Sequence, residues 1–430
     1  MKRWNNPPRS LWESLIKRPV MDAHNLDESV KQIMENVRNE GDLALQHCTL
    51  KFDGVRLEQF RVNAEEIKAA ETMISKELKA AIAVAADNIK TFHASQLYTE
   101  PLIETMKGVS CWRKTVAVEQ VGLYIPGGSA PLFSSILMLG IPALIAGCSR
   151  IAICTPCSPD GTVHPAVLYT ASYLGISEIY KVGGAHAIAA MAYGTESIPK
   201  VDKIFGPGNQ YVTKAKELVQ KEGIPIDLPA GPSEVLVIAD KYADADFIAA
   251  DLLSQAEHGA DSQVVLLTDT EEILKRVEES LQRQLQKLPR ASVAAKALEN
   301  SFSICFNSIG ECVDFSNVYA PEHLIMALED TQKYCKQVLH AGSVFLGRYS
   351  CESAGDYASG TNHTLPTNGY ARSYSGVSTD SFVKKISFQE ISKEGLRNIG
   401  ATIELMAEAE ALYAHKNAVS IRLKKITDEE

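Results

Sequence analysis

The sequence predicts an α/β protein with two domains built on parallel sheets, with one helical segment before them and another after them. Strand-like apolar runs alternate with longer helical stretches between residues 121 and 228, and the same alternation returns between residues 234 and 346. This pattern is typical of parallel sheets whose strands are joined by right-handed helical crossovers. The length of 430 residues, with 45% apolar and 22% charged residues, indicates a globular protein of about two to four domains.

The first predicted elements are helical. Apolar residues recur at spacings of three and four between residues 27 and 97, for example at Ala85 and Ile89, which is the period of an amphipathic helix. In the segments 109–114 and 117–120, β-branched residues alternate with polar ones. Two short strands are predicted there.

The strands of the first predicted sheet end in glycine-rich loops. They are expected at 121–125, 150–154, 178–182 and 202–205. Three of them lead into the loops Pro126-Gly-Gly128, Gly183-Gly184 and Gly206-Pro-Gly-Asn209. Ligands bind at the carboxyl ends of parallel strands, where glycine lets the backbone approach a phosphate, so a nucleotide is the natural candidate. No G-x-G-x-x-G motif is present, and glycines that only form tight turns remain an alternative.

The second predicted sheet is followed by a long loop and a helical tail. Its strands are expected at 234–238, 263–267, 301–305 and 342–346. Segment 355–376 is rich in Gly, Ser, Thr and Asn, which is typical of a long functional loop, and the last fifty residues are expected to be helical. The most apolar stretch, 130–148, contains Ser134, Ser135 and Pro142, and predicts a buried helix rather than a membrane span.

The net charge argues against nucleic-acid binding, and the cysteine content indicates the cellular compartment. The chain has 43 basic and 53 acidic residues, a net charge of −10 that would repel phosphate backbones, so no nucleic-acid partner is expected. Its nine cysteines are scattered, and only Cys154-Thr-Pro-Cys157 forms a C-x-x-C. We interpret them as reduced thiols of a cytoplasmic protein, with a redox pair as the alternative. The first eight residues lack the apolar run of a signal peptide, so no export is expected.

Two pairs of residues are candidates for chemistry. Gln255 and His258 lie three apart at the end of a predicted helix that begins near Asp244, so an amide oxygen and an imidazole could converge on a metal ion. The alternative is a histidine that caps the helix and interacts with its dipole. Glu322 and His323 follow a proline and pair an acid with a base; a solvated turn is the alternative.

Further donors lie in the long loop and near the terminus. Asp356 and His363 belong to the loop, and His415 lies in the helical tail. No H-E-x-x-H motif is present. The oxygen and nitrogen donors Gln255, His258, Asp356 and His415 suit Zn²⁺ or Mn²⁺ better than copper or an iron–sulfur cluster.

Seven motifs occur in order over nearly the whole chain. They are Val121-Gly-Leu-Tyr-Ile-Pro-Gly-Gly-Ser-Ala-Pro, Phe205-Gly-Pro-Gly-Asn, Asp227-Leu-Pro-Ala-Gly-Pro-Ser-Glu, Asp251-Leu-Leu-Ser-Gln-Ala-Glu-His, Tyr319-Ala-Pro-Glu-His-Leu, Gly355-Asp-Tyr-Ala-Ser-Gly-Thr-Asn-His and Ala414-His-Lys-Asn-Ala-Val. Together they resemble the motifs of the histidinol dehydrogenase family. The resemblance implies a zinc-dependent enzyme of histidine biosynthesis that oxidises L-histidinol to L-histidinal and then to L-histidine with two NAD.

The resemblance also implies an architecture. It consists of two incomplete Rossmann-like domains similar to those of aldehyde dehydrogenases, with a helical N-terminal arm and a helical C-terminal dimerisation segment. We expect the arm at 1–21, a substrate and zinc domain at 22–115 and 236–378, an NAD-binding domain at 116–235 and the dimerisation segment at 379–430. A homodimer is implied, with an active site shared between subunits.

The resemblance also implies roles for the individual residues that match the motifs of the family. One Zn²⁺ per subunit would be bound by Gln255, His258, Asp356 and His415, and Glu322 and His323 match the catalytic pair. Ser233, His363 and Glu410 match substrate contacts, together with His323 and the four zinc ligands. NAD contacts are expected at Tyr124, His186 and Asn209.

The sequence departs from the family pattern at three positions. His186 stands where the family commonly has Gln, and Ala260 and Cys351 stand where Pro is common. Three alternatives to histidinol oxidation stay open. They are a paralogous zinc and NAD alcohol dehydrogenase acting on another small amino alcohol or diol, a zinc amidohydrolase, and a non-catalytic nucleotide-binding scaffold.

Overall fold

The structure is a computed structural model that describes residues 1–19, 24–127, 131–229 and 231–429. It has two units, described separately here: Met1–Gln96 with Glu119–Ser381, and Leu97–Val118 with Phe382–Glu430. Gly128 of the first glycine-rich loop and the predicted boundary between residues 21 and 22 lie outside the described residues.

The described part of the chain contains thirteen strands and seventeen α-helices. The strands are β1 (Lys2–Asn5), β2 (Ile103–Met106), β3 (Val109–Ala117), β4 (Gln120–Tyr124), β5 (Arg150–Cys154), β6 (Glu178–Tyr180), β7 (Lys203–Phe205), β8 (Glu234–Ala239), β9 (Gln263–Thr268), β10 (Phe302–Cys305), β11 (His323–Ala327), β12 (Ser343–Leu346) and β13 (Val383–Ile391). The helices are α1 (Arg9–Leu15), α2 (His24–Glu40), α3 (Asp42–Phe52), α4 (Ala64–Met73), α5 (Lys76–Ala94), α6 (Ser134–Ala146), α7 (Pro165–Tyr173), α8 (Gly184–Tyr193), α9 (Gln210–Lys221), α10 (Ala245–Ala256), α11 (Glu271–Leu285), α12 (Ala291–Glu299), α13 (Ile309–Tyr319), α14 (Gln332–Cys335), α15 (Glu352–Tyr357), α16 (Lys393–Ala409) and α17 (Tyr413–Asp428).

The first unit contains two parallel sheets. The four-stranded sheet has the order β6-β5-β4-β7, and the six-stranded sheet has the order β1-β10-β9-β8-β11-β12. Every strand predicted between residues 121 and 346 is present within two residues of its expected bounds. The edge strand β1 was not expected, since its four residues are all exposed and carry no apolar alternation.

The four central strands of the six-stranded sheet are buried on both faces. All residues of β8 and β9 are buried, which explains why these strands appear as continuous apolar runs. Val235 and Val237 pack on the side of α10 and α11, whereas Leu236 and Ile238 pack on the side of α1 and α13. Helices therefore cover both faces, as the strand–helix alternation predicts.

Helix α6 accounts for the most apolar stretch of the sequence. Its residues 134–143 are all buried, and it packs against α5 through Leu137, Met138 and Ile141. The expected buried helix is thus confirmed. Within the described residues, no helix is long and apolar enough to cross a membrane.

The second unit combines an antiparallel sheet with two helices. The sheet has the order β13-β3-β2, and α16 packs against α17. The expectation of an entirely helical tail is wrong, because β13 pairs with β3 along its full length. The helices leave large apolar side chains exposed, among them Leu405 at 68%, Met406 at 61% and Tyr413 at 65%.

Candidate active site

A cavity of 790 Å³ in the first unit brings most of the predicted site residues together. Its lining includes Ser233, Gln255, His258, Glu322, His323, Asp356 and His363, and also Pro207, Gly208 and Asn209 of the loop that follows β7. The loop follows the carboxyl end of its strand, as expected for parallel sheets. Ser233 and the Glu322–His323 pair instead lie at the amino ends of β8 and β11.

Glu322 and His323 are both buried and share one backbone partner. Glu322 directly precedes β11, and His323 is the first residue of that strand. The Nδ1 of His323 lies 3.7 Å from Oε2 of Glu322. Ala320, with φ of +54°, sets the turn that leads into the pair.

The backbone of Glu234 contacts both members of this pair and indicates which nitrogen of a neutral His323 carries the proton. Its N–H donates to Oε2 of Glu322 at 2.8 Å, and its carbonyl oxygen lies 3.3 Å from Nδ1 of His323. Nδ1 of a neutral His323 therefore carries the proton, as assigned from this contact. Its Nε2 is buried without a hydrogen-bond partner among the described residues and lies 3.6 Å from Oδ1 of Asp356. In the neutral imidazole, that nitrogen is free to accept a proton.

His258, Glu352 and Asp356 form a candidate metal site. One potential ligand atom from each lies within 4.8 Å of the other two. Glu352 and Asp356 are four residues apart on α15, so both carboxylates lie on the same face of that helix. His258 follows the end of α10, the helix that also carries Gln255.

The buried amide of Gln255 connects this group to the Glu234 backbone. In the orientation that satisfies its neighbours, its nitrogen donates to Glu352 and its oxygen accepts from the N–H of Glu234 at 2.9 Å.

Helix α10 begins where predicted, because the Asp244 side chain caps it by accepting from the N–H groups of Asp246 and Phe247.

Three carboxylates and one imidazole dominate the electrostatics of the site. Burial raises the pKa of Glu322 to about 8, and burial likewise raises the pKa of Glu352 to about 8. Burial alone would lower the pKa of His323, but the carboxylates of Glu352, Glu322 and Asp356 outweigh it and raise this pKa to about 10. The site therefore carries more buried acidic groups than cationic partners, an arrangement that a bound cation would relieve.

Two predicted substrate contacts lie on the same cavity. Nε2 of His363 is 3.2 Å from Oγ of Ser135, and Ser233 lies directly before Glu234. The other predicted residues of the tail, Glu410 and His415, belong to the second unit, where both are exposed.

The three predicted cofactor contacts differ in exposure. Asn209 lines the cavity and caps α9, its side chain accepting from the N–H groups of Tyr211 and Val212. Tyr124 is buried, and its hydroxyl accepts from the N–H of Gly184 at 3.1 Å. His186 is also buried, and its ring stacks on Phe52 with 6.1 Å between centroids. Neither Tyr124 nor His186 lines the cavity, and their contact with a cofactor stays a prediction.

The chain matches known proteins over almost its entire length. A family model described as histidinol dehydrogenase matches residues 16–423. A histidinol dehydrogenase of Bacteroides thetaiotaomicron is 55% identical over 426 residues, covering 99% of this chain and 100% of the relative. The chain belongs to the histidinol dehydrogenase family. The histidinol dehydrogenase of Escherichia coli strain K12 is 49% identical over 429 residues, covering 99% of this chain and 98% of the relative.

A solved structure agrees with this assignment. The crystal structure of histidinol dehydrogenase from Elizabethkingia anophelis has a TM-score of 0.97 to this chain at 58% identity, covering 99% of each. The predicted family, α/β fold and enzyme class are confirmed. Histidinol dehydrogenases are oxidoreductases of histidine biosynthesis, so the amidohydrolase and scaffold alternatives are wrong.

The motifs of the sequence did not indicate Glu352. The signal that would have found it is the spacing of four from Asp356, which places two carboxylates on one face of a helix.

Proposed function

We propose that this chain oxidises L-histidinol to L-histidine through L-histidinal, with two NAD and one Zn²⁺ per subunit. The observation that carries the proposal is the convergence of His258, Glu352 and Asp356 beside the buried pair Glu322 and His323. A metal group and an acid–base pair thereby share one cavity, which is also lined by Asn209 of a glycine-rich loop.

The residues present fit a zinc ion. Imidazole nitrogen, carboxylate oxygen and amide oxygen are donors that zinc accepts, and the acidic surplus of the site favours a dication. Gln255, His258 and Asp356 would hold it together with His415, and Glu352 is a further candidate ligand. When bound, the metal supplies a positive charge that anchors and orients the imidazole and amine of the substrate.

The first oxidation requires a base for the hydroxyl proton. Nε2 of His323 is suited to this role, since the Nδ1 proton is directed to the Glu234 carbonyl and Nε2 has no hydrogen-bond partner in the described part of the chain. A cation at the metal site would offset the carboxylates that raise the pKa of His323, and so favour the neutral base. A bound NAD would accept the hydride from the carbinol carbon.

The second oxidation requires a water molecule to hydrate the aldehyde. Glu322 is our choice to activate it, because its Oε2 is held by the Glu234 N–H and its carboxylate lines the cavity. After it has released the first proton, His323 accepts a second one from the hydrated aldehyde, and a second NAD would accept the hydride. Ser233, His363 and Glu410 are assigned to substrate binding, and Tyr124, His186 and Asn209 to NAD.

We further propose a cytoplasmic homodimer with composite sites. The exposed apolar side chains of α16 and α17 support dimerisation through the C-terminal segment, and the scattered spacing of the nine cysteines favours reduced thiols in a reducing compartment. The division into an NAD-binding domain at 116–235 and a substrate and zinc domain is proposed with it.

Metal removal tests the proposal. Dialysis against a chelator should abolish histidinol oxidation and leave NAD binding largely intact, because the metal group and the glycine-rich loops are built from different residues. Zinc or manganese should restore turnover. Full activity in protein shown to be metal-free by elemental analysis would contradict the proposed role of the metal.

A further inference from the structure

Arg18 lies in a buried cluster beside the Glu322–His323 pair. Its guanidinium forms a two-pronged ion pair with Glu234, with Nε 2.7 Å from Oε2 and Nη2 2.9 Å from Oε1. Only 7% of the Arg18 side chain and 1% of the Glu234 side chain are exposed. Both charges are thus removed from water and satisfied by each other.

The same guanidinium holds the chain segment that leads into the catalytic pair. Its Nη2 donates to the carbonyl oxygen of Tyr319 at 2.7 Å, and its Cζ lies 3.5 Å from the centre of the Tyr319 ring. The Tyr319 hydroxyl in turn donates to Gln263 at 2.8 Å. Tyr319 ends α13 and is separated from Glu322 only by Ala320 and Pro321.

Glu234 is the residue whose backbone contacts both members of the pair. Its N–H donates to Glu322, and its carbonyl oxygen faces Nδ1 of His323. Strands β8 and β11 pair in register, with His323 opposite Val235. A shift of the Glu234 peptide would therefore move the acceptor that determines which nitrogen of His323 is free.

A buried ion pair is weak support for stability, because desolvation of two charges offsets much of their attraction. A planar guanidinium that binds a carboxylate through two nitrogens also fixes the relative orientation of the two groups. In this cluster that geometry joins the start of β8 to the end of α13, the two segments that place the catalytic pair.

We propose that Arg18 is a positioning residue for the oxidation of histidinol, acting through Glu234 and Tyr319 on Glu322 and His323. The inference rests on the proposed roles of Glu322 and His323. Arg18 itself reaches no reacting atom in this account, so its loss should slow the chemical steps and leave substrate binding nearly unchanged.

The test compares Arg18→Met with Arg9→Met in the full-length, metal-loaded enzyme. Arg9 belongs to the same N-terminal region and also pairs with a carboxylate, that of Asp314, but its side chain is 74% exposed. We expect Arg18→Met to lower kcat by about 10- to 100-fold, the range that a small misplacement of catalytic groups produces. The KM values for histidinol and NAD should change by less than about threefold, and Arg9→Met should stay within about twofold of wild type in kcat.

Two further variants keep the test decisive if Arg18→Met does not fold. Arg18→Lys keeps the charge without the two-pronged geometry and should recover part of the lost kcat, and Glu234→Gln removes the charge at almost constant volume and should show the same loss in kcat. Rates are normalised to folded protein by circular dichroism. An unchanged kcat in the folded variants, or a loss that appears equally in KM, would overturn the inference.

His323→Asn and Glu322→Gln are measured in the same assay. If they retain wild-type rates, the proposed catalytic pair is wrong. If they lose activity while Arg18 variants do not, only the positioning role of Arg18 fails.

Discussion

At the scale of single residues, the two nitrogens of His323 face different surroundings. Nδ1 is directed to a backbone carbonyl, while Nε2 lies 3.6 Å from Asp356 and has no hydrogen-bond partner among the residues that the structure describes. Glu322 holds one backbone N–H. The two adjacent side chains can therefore divide two proton-transfer tasks within one cavity.

Substitution of each member should separate the two oxidation steps. Glu322→Gln should depress the oxidation of histidinal more than that of histidinol, because only the second step needs an activated water molecule. His323→Asn should depress both steps by about 100-fold or more, the usual contribution of a general base. Single-turnover traces with each substrate would measure this, and equal losses in both steps for Glu322→Gln would refute the division of tasks.

His186 should make the fold sensitive to acid. Burial lowers its pKa to about 4 from an ordinary value of 6.5, so the unfolded chain binds a proton that the folded chain refuses. The contribution of His186 to the free energy of unfolding is therefore constant above pH 6.5. It decreases as the pH falls from 6.5 toward 4, and the loss is roughly 2 kcal/mol at pH 5.

His186→Gln should reduce the drop in thermal midpoint between pH 7 and pH 5, and NAD affinity should be kept or modestly improved. The exposed His47→Gln serves as the control and should leave the drop unchanged. An identical drop in wild type and His186→Gln would rule out this acid sensitivity, and a large loss of NAD affinity would show that His186 has a contact of its own.

At the scale of elements, a buried ion pair holds the loop that follows β7. Lys216 of α9 pairs with Asp227 and donates to the carbonyl oxygen of Gly206 at 2.9 Å, while Asp227 accepts from the N–H of Gly206 at 2.8 Å. A side chain at Gly206, which has φ of +126°, would collide with the carbonyl oxygen of Tyr124. The loop is thus fixed by both backbone and charge.

Replacing only one partner of this ion pair should lower the free energy of unfolding more than replacing both partners. Asp227→Asn leaves the Lys216 charge buried, and we expect the free energy of unfolding to fall by about 3–5 kcal/mol. The double variant Lys216→Met with Asp227→Asn should lose less, because no uncompensated charge remains. Urea titrations of wild type, the two single variants and the double variant would measure this, and a double variant as unstable as the sum of its single changes would contradict it.

Elements were predictable where burial leaves a pattern in the sequence. Strands β8 and β9 are covered on both faces, so their residues form uninterrupted apolar runs. Strand β13 is exposed at nearly every residue, and the spacing of Val383, Ile386 and Phe388 fits neither a helix nor a strand clearly.

Within the site, the sequence indicated most readily those groups of residues that are close to one another along the chain. Glu322 and His323 are neighbours in sequence and could be recognised as an acid–base pair. Arg18 and Glu234 are 216 residues apart, and only the folded chain shows that they meet.

At the scale of the whole molecule, the C-terminal segment carries one proposed zinc ligand and one proposed substrate contact. His415 and Glu410 are exposed on the second unit, which also carries the exposed apolar side chains of α16 and α17. A two-fold dimer in which the C-terminal segment serves the partner subunit would give two composite sites.

Complementation tests this arrangement. His415→Ala and Gln255→Ala chains, each inactive alone, should recover activity when mixed and reassembled, because each heterodimer contains one intact and one doubly damaged site. Random mixing makes about half the dimers mixed, so recovery should approach about a quarter of wild type. Native mass spectrometry confirms the heterodimers, and their complete inactivity would place all four ligands in one subunit.

The stoichiometry of the reaction tests the central claim most directly. Purified, metal-loaded protein is incubated with L-histidinol and excess NAD, and the NADH and histidine formed are counted in the same sample. One cavity that performs both oxidations should yield two NADH for each histidine, with no histidinal released. Accumulation of histidinal with one NADH per histidinol consumed would show that the site stops after the first oxidation and would contradict the account.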